Sequence, residues 1–321
     1  MRAVVVSELG GPEVMAAGDR PDPEAGPGQI VVQVAAAGVN FIDIYRRSGV
    51  YKQQLPYTPG SEGAGTVVAA GEGVTQFSAG DRVAWSEGPG SYAERVAIAA
   101  ENAVPVPDGV DLKTAGAVML QGMTAHYLCR STYPVTEGAV TVVHAAAGGV
   151  GLLLTQIAKA KGARVITTVS TADKAELSRA AGADEVLVGY DDFPARVREF
   201  AAGKGADVVY DGVGAATFDG SLEALRPRGT MVLFGGASGQ VPPFDIQRLN
   251  RGGSLKLTRP NVDHFVADRE ELLARSAELF GWVADGSLRV RIGGTYPLAQ
   301  ADRAQEDLAA RRTTGKLVLQ P

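Results

Sequence analysis

The chain has 321 residues, a formal net charge of −5, 45% hydrophobic residues and 21% charged ones. That length suits roughly two domains of about 150 residues each, and the apolar content supplies a core too large for a disordered chain. The acidic balance, with no basic stripe, argues against nucleic-acid binding driven by bulk charge, and a single cysteine, Cys129, excludes an internal disulfide and fits a reducing cytoplasm.

Residues 1–100 are β-rich. Strands are expected at 3–6, 29–34, 65–70, 82–85 and 93–98, because β-branched and alternating apolar runs there are bounded by Gly, Pro and Asp. One helical segment, 41–48, interrupts them. Many short strands with glycine turns predict a small barrel or sandwich. The apolar start at 3–6 meets Glu8 at once, which is too short for a secretion signal, and no apolar run nears the ~20 residues of a membrane span. A soluble cytoplasmic protein is expected.

The pattern changes at Asp111, where 111–130 takes helical spacing. From Val140 strands (140–143, 164–169, 185–188, 207–211, 230–234) alternate with helices (149–161, 173–181, 193–202, 216–225), the mark of a parallel sheet covered on both faces. A further helix is expected at 270–285, and the tail 289–321 returns to strand–helix–strand. That tail is expected to rejoin the first domain, so that residues 1–123 and 287–321 form one domain, 124–286 form an inserted one, and a ligand lies in the cleft between them.

The stretch from Thr141 to Leu154 carries the chemistry. A short apolar strand turns through Ala145-Ala146-Ala147-Gly148-Gly149-Val150-Gly151 into an apolar helix. Strand, glycine turn and helix begin a Rossmann dinucleotide-binding unit: Gly148 lets backbone approach a pyrophosphate, Gly151 lets helix pack on strand, and the helix N-terminus attracts the anion. The turn departs from G-x-G-x-x-G at Ala146. A cofactor lacking the 2′-phosphate would call for a carboxylate at the tip of the second strand; this chain has Ser170 and Thr171 there and Lys174 one helical turn on, a set that attracts a 2′-phosphate and predicts NADPH over NADH.

Further motifs extend over nearly the whole chain: Gly38-Val39-Asn40-Phe41-Ile42-Asp43, Tyr45-Arg46-Arg47-Ser48-Gly49, Pro59-Gly60-Ser61-Glu62-Gly63-Ala64-Gly65, Ala79-Gly80-Asp81-Arg82-Val83, the turn after His144, and Thr258-Arg259-Pro260. By these the sequence resembles the quinone oxidoreductases of the zeta-crystallin-like branch of the medium-chain dehydrogenase/reductase superfamily. The resemblance implies a Rossmann doubly wound parallel sheet inserted in a GroES-like β-barrel domain, a zinc-independent NADPH enzyme, and a homodimer joined through Rossmann sheet edges. Zinc-dependent relatives carry a histidine where this chain has Ser61, and they use cysteine ligands; His126, His144 and His264 lie at no ligand spacing with the lone cysteine. His144, ending a buried strand, is expected to be a satisfied core histidine.

Carried over residue by residue, the resemblance places Asn40 and Tyr45 near the nicotinamide, with Thr124 beside it, and Ala147, Gly148, Gly149 and Val150 at the pyrophosphate. It places Ser170, Lys174 and Tyr190 around the 2′-phosphate and adenosine, and Phe234, Ser238, Arg259 and Arg311 at the remaining cofactor contacts. The expected reaction is hydride (or single-electron) transfer to a quinone or related α,β-unsaturated carbonyl, whose oxygen Tyr45, Tyr51 or the Asn40 amide would polarise. Two alternatives stand beside it: an enone, alkenal or enoyl-thioester reductase, and an NADPH-binding protein with a structural or RNA-binding role.

Overall fold

The computed structural model describes residues 1–321. In chain order the first elements are β1 (Arg2–Val6), β2 (Met15–Asp19), β3 (Gln29–Val39), α1 (Phe41–Arg47), β4 (Glu62–Ala70), β5 (Arg82–Trp85), β6 (Arg95–Ala99), β7 (Val104–Pro105) and α2 (Leu112–Tyr127). Then come β8 (Val140–Val143), α3 (Gly149–Ala160), β9 (Arg164–Val169), α4 (Ala172–Ala180), β10 (Glu185–Val188), α5 (Phe193–Phe200), β11 (Ala206–Asp211), α6 (Phe218–Ala224), β12 (Leu225–Leu233), α7 (Gln247–Arg251) and β13 (Lys256–Thr258). The last are α8 (Arg269–Ala284), β14 (Ile292–Pro297), α9 (Ala301–Ala309) and β15 (Lys316–Gln320).

The chain divides into two compact units, Met1–Met123 with Val266–Pro321, and Thr124–Phe265. The second boundary thus falls earlier than the 286 expected from sequence. Helix α8 groups with the first unit: Arg269 donates to the carbonyls of Glu101 (2.6 Å) and Ala103, flanking β7, and Leu279 packs on Gly122.

In the first unit a seven-stranded sheet runs β14-β15-β3-β4-β5-β7, with β6 also paired to β3, beside a two-stranded β1-β2 ribbon. Its core is built from the inward residues of these strands, among them Ile30, Val32, Val34, Val67, Val83, Trp85 and Ile98, with Tyr92 from the segment before β6. Strand β3 is longer than expected. Its second half, residues 35–39, has little β propensity, but it pairs with β4 on one side and with β15 on the other (Leu317 opposite Val39). Tertiary pairing overrides local preference there.

The second unit is a six-stranded sheet in the order β10-β9-β8-β11-β12-β13, and every pairing is parallel. Read from the first strand, this is the 3-2-1-4-5-6 order of a doubly wound dinucleotide fold, with its switch point between β8 and β11. Helix α3 packs against β8, β9 and α4; α5 packs on α6, which covers β11 and β12. Val140, Val142, Ile166, Val197, Phe218, Leu222 and Met231 fill the core. No helix is long and apolar enough to cross a membrane.

Candidate functional site

The second unit places its candidate residues at the carboxyl ends of its strands. After β8 the chain turns through Ala145, which takes a left-handed φ of 51°, and enters α3 with Gly148 as its N-cap. The turn is anchored by Ala146 N–H on the Thr168 carbonyl (3.1 Å). A Cβ on Gly151 would stand 2.6 Å from both the Ala145 carbonyl oxygen and the Ala146 Cα, so only glycine lets α3 sit this close to the turn. The result is a first helical turn whose N–H groups, from Gly149 on, have no intrahelical acceptors, the kind of helix start that favours an anion. Gly148, Gly149 and Val150 are only half-buried, while Ala147 is buried beneath them.

At the tip of β9, Lys174 Nζ donates to Ser170 Oγ at 3.2 Å, and both side chains are at the surface or partly so. Thr171 acts locally, capping α4 by accepting the Lys174 N–H (3.4 Å). Asp173 lies in the first turn of α4, where the helix dipole favours it. Tyr190, past β10, stands edge-on to His144 with ring centroids 6.0 Å apart.

Beneath this surface lies a polar chain. His144 is buried, with Nδ1 2.8 Å from Thr168 Oγ1 and Nε2 3.0 Å from Ser221 Oγ. Ser221 Oγ also donates to the buried Asp211 carboxylate (2.9 Å). Asp211 in turn accepts the N–H groups of Val213 (2.8 Å) and Gly214 (2.9 Å), which folds the glycine turn after β11. Burial pushes the His144 imidazole below its ordinary range against the opposing pull of Asp211. It is a satisfied core histidine. Asp211 as the organiser of that turn was missed from sequence; an acid closing a buried strand ahead of Gly-x-Gly was the available signal.

Phe234 follows β12 and lays its ring against Gly212, where a Cβ would come within 2.8 Å. Ser238 joins two turns: its hydroxyl donates to the Val213 carbonyl (2.7 Å) and accepts the Ala216 N–H (3.0 Å). Arg259 is exposed, just past β13. Thr124 is half-buried on α2.

The first unit holds the other group. Asn40 sits at the start of α1, which carries Tyr45. The Tyr45 and Tyr51 rings meet edge-on at 5.8 Å, and the Tyr51 N–H donates to the Tyr45 carbonyl (3.2 Å). Tyr51 is 40% exposed. Arg311 follows α9 at a left-handed φ of 57° and is exposed.

Asn40 is held within the first unit. It is buried, its Nδ2 donates to Glu62 Oε1 (2.7 Å) and to the Gly38 carbonyl (3.4 Å), and its Oδ1 accepts from Lys316 Nζ (2.7 Å). The amide that sequence reasoning offered to an acceptor's oxygen is thus engaged inside the unit in this structure. Sequence reasoning also missed the buried cluster itself: Glu62, Lys316 and the neighbouring Asp43, which accepts from Ser61 Oγ (2.9 Å), Tyr92 OH (3.1 Å) and Asn40 N–H (3.0 Å).

The same cluster bears on zinc. Ser61, at the position where zinc-dependent relatives carry histidine, donates to Asp43 and accepts from Arg46 Nη1 (2.7 Å). Glu62 is held by Lys316 and Asn40, and Cys129 is buried in the other unit with its thiol pushed by burial to about 12. A hydroxyl, a carboxylate already paired with an ammonium and a protonated, buried thiol do not fit a zinc ion.

Comparison with known proteins agrees with this architecture. The alcohol dehydrogenase GroES-like domain matches residues 26–108, and the family described as zinc-binding dehydrogenase matches 149–275. The chain is 47% identical to a quinone oxidoreductase of Pseudomonas aeruginosa, over 100% of this chain and 99% of that one. It is 38% identical to a 2-haloacrylate reductase of a Burkholderia species, over 99% and 98% of the two chains. A solved structure of Escherichia coli quinone oxidoreductase complexed with NADPH superposes with a TM-score of 0.98 at 41% identity, covering 100% of each chain. The chain belongs to the quinone oxidoreductase family of the medium-chain dehydrogenases/reductases.

Proposed function

We propose that this chain is an NADPH:quinone oxidoreductase. The observation that carries the reading is the pairing of an anion-ready helix start with a hydroxyl–ammonium pair at the next strand tip: residues 148–151 for the pyrophosphate, and Ser170 with Lys174 for the 2′-phosphate. The Escherichia coli relative, solved with NADPH, supports the same assignment. NADPH, when bound, supplies the hydride. The protein's own part is binding and orientation. The first turn of α3 neutralises the pyrophosphate, Lys174 meets the 2′-phosphate, and Phe234, Arg259 and Tyr190 of the same unit add further cofactor contacts. Tyr45 and Tyr51 offer hydroxyls to the acceptor's oxygen as charge develops on it.

Quinones and enones delocalise the charge of their reduced form, so they need less polarisation from a donor than an aldehyde does. The Burkholderia relative named 2-haloacrylate reductase favours a second reading within the same chemistry, reduction of an activated C=C bond. Steady-state NADPH oxidation with 1,4-benzoquinone and with 2-chloroacrylate tests both: turnover of the quinone supports the first, a higher catalytic efficiency on the acrylate supports the second, and no turnover of either rejects the enzyme reading.

The protein works as a homodimer in this reading. Strand β13 ends the parallel sheet, so its outer edge carries unpaired backbone groups that a second copy can take up across a two-fold axis. The single, buried cysteine fits action in the reducing cytoplasm.

A further inference from the structure

The most heavily buried charges in the first unit are ones the reaction itself does not use. Lys316, on β15, is 1% exposed, and its partner Glu62, at the start of β4, is 0% exposed. Lys316 Nζ bonds both Glu62 Oε1 and Asn40 Oδ1, the latter at 2.7 Å. The second Glu62 oxygen accepts the Leu120 N–H of α2 at 2.7 Å. Gly38 leaves the space this requires: a Cβ there would lie 2.2 Å from Glu62 Oε1. The ammonium and its carboxylate partner thus tie together four elements, β15, the β3–α1 junction, β4 and α2.

A buried ion pair is a poor way to gain stability, since desolvation consumes most of the attraction and an apolar pair of equal volume does as well or better. What such a pair does supply is a fixed geometry. Here the fixed point is Asn40, which ends β3 and begins α1; five residues on, α1 carries Tyr45, whose carbonyl and ring hold Tyr51. Lys316 itself, without exposed surface, cannot touch a substrate.

We infer that Lys316 is a positioning residue for the reaction: by neutralising Glu62 and clamping the Asn40 amide, it sets the start of α1 and with it the place of the Tyr45 and Tyr51 hydroxyls. The inference rests on the quinone-reductase reading, so wild-type turnover of NADPH with 1,4-benzoquinone is read first; its absence rejects that reading and says nothing of Lys316.

The test is the charge-neutral double variant Lys316→Met with Glu62→Gln, which leaves no lone buried charge. Melting temperature, NADPH dissociation constant and kcat are measured together. A misplaced donor costs rate while leaving remote cofactor contacts alone, so kcat is expected to fall about 10- to 100-fold with NADPH affinity within about two-fold of wild type. A folded double variant that keeps both kcat and NADPH affinity within about two-fold overturns the inference and leaves Lys316 a packing residue. Should that variant fail to fold, the pair Lys316→Gln with Glu62→Gln, likewise without a lone buried charge, is read by the same split: a selective loss of kcat supports the inference, and an unchanged kcat overturns it.

Discussion

Lys174 and Ser170 meet at 3.2 Å on an exposed strand tip, and under the proposed function that pair sets which dinucleotide is preferred. A charge-assisted hydrogen bond is worth about 1.5–3 kcal/mol, or roughly 10- to 100-fold in affinity. Lys174→Ala is therefore expected to weaken NADPH binding by about that factor and to leave NADH binding unchanged, by calorimetry; equal losses for both cofactors would remove Lys174 from the 2′-phosphate. Asp43 offers a test of the buried cluster. Desolvation raises its carboxyl above the ordinary value of 3.8, outweighing the Ser61 hydroxyl, the Arg46 charge and the Asn40 N–H. The folded protein then holds a proton that the unfolded chain has released, so this group's contribution to stability falls as pH rises from 3.8 through the folded-state value and is constant beyond it. Asp43→Asn removes that slope. Urea midpoints measured from about pH 4 to 7 should show wild type losing ground relative to the variant as pH rises; a gain would reverse the assigned shift. The Ser170–Lys174 pair was legible because strand-tip spacing is local. The Lys316 contacts were not, because they join residues 276 and 254 positions apart, and nothing along the chain marks a lysine in an apolar strand as buried.

At the level of elements, the glycine turn and the sheet edge make the sharpest demands. Gly151→Ala puts a methyl 2.6 Å from backbone atoms of the turn, which cannot give way as a flexible side chain would. Overpacking of this kind costs about 1–3 kcal/mol, and a lowered melting temperature with weakened NADPH binding is expected. An alanine variant with unchanged affinity would show that the close approach of α3 does not shape the phosphate site. At the edge of the sheet, Leu257→Pro interrupts the three-residue strand β13. Light scattering is expected to show a dimer for wild type and a monomer for the variant; a monomeric wild type would refute edge-to-edge assembly. The alternating strands and helices of the second unit were readable because β-branched runs and glycine turns mark each βα step. β13 has only three residues and β7 only two, too short for any periodicity to show. The second half of β3 was hidden for a different reason, its alanines being strand only by virtue of their neighbours.

On the scale of the whole molecule, the chain is a β-rich unit closed by its own C-terminal strand, with a parallel six-stranded unit inserted in its sequence. The insertion was legible from the change of pattern at Asp111 and the return to strand–helix–strand after 289. The membership of α8 was not, since an amphipathic helix shows which of its faces is buried but not which domain it is buried against. The central claim is that the inserted unit selects a 2′-phosphorylated nicotinamide dinucleotide for reduction of a quinone. The direct measurement is kcat/KM for NADPH and for NADH with 1,4-benzoquinone as saturating acceptor. The account predicts that NADPH is favoured by about 10- to 100-fold, the value of one charge-assisted contact. Equal efficiencies, or a preference for NADH, would contradict it.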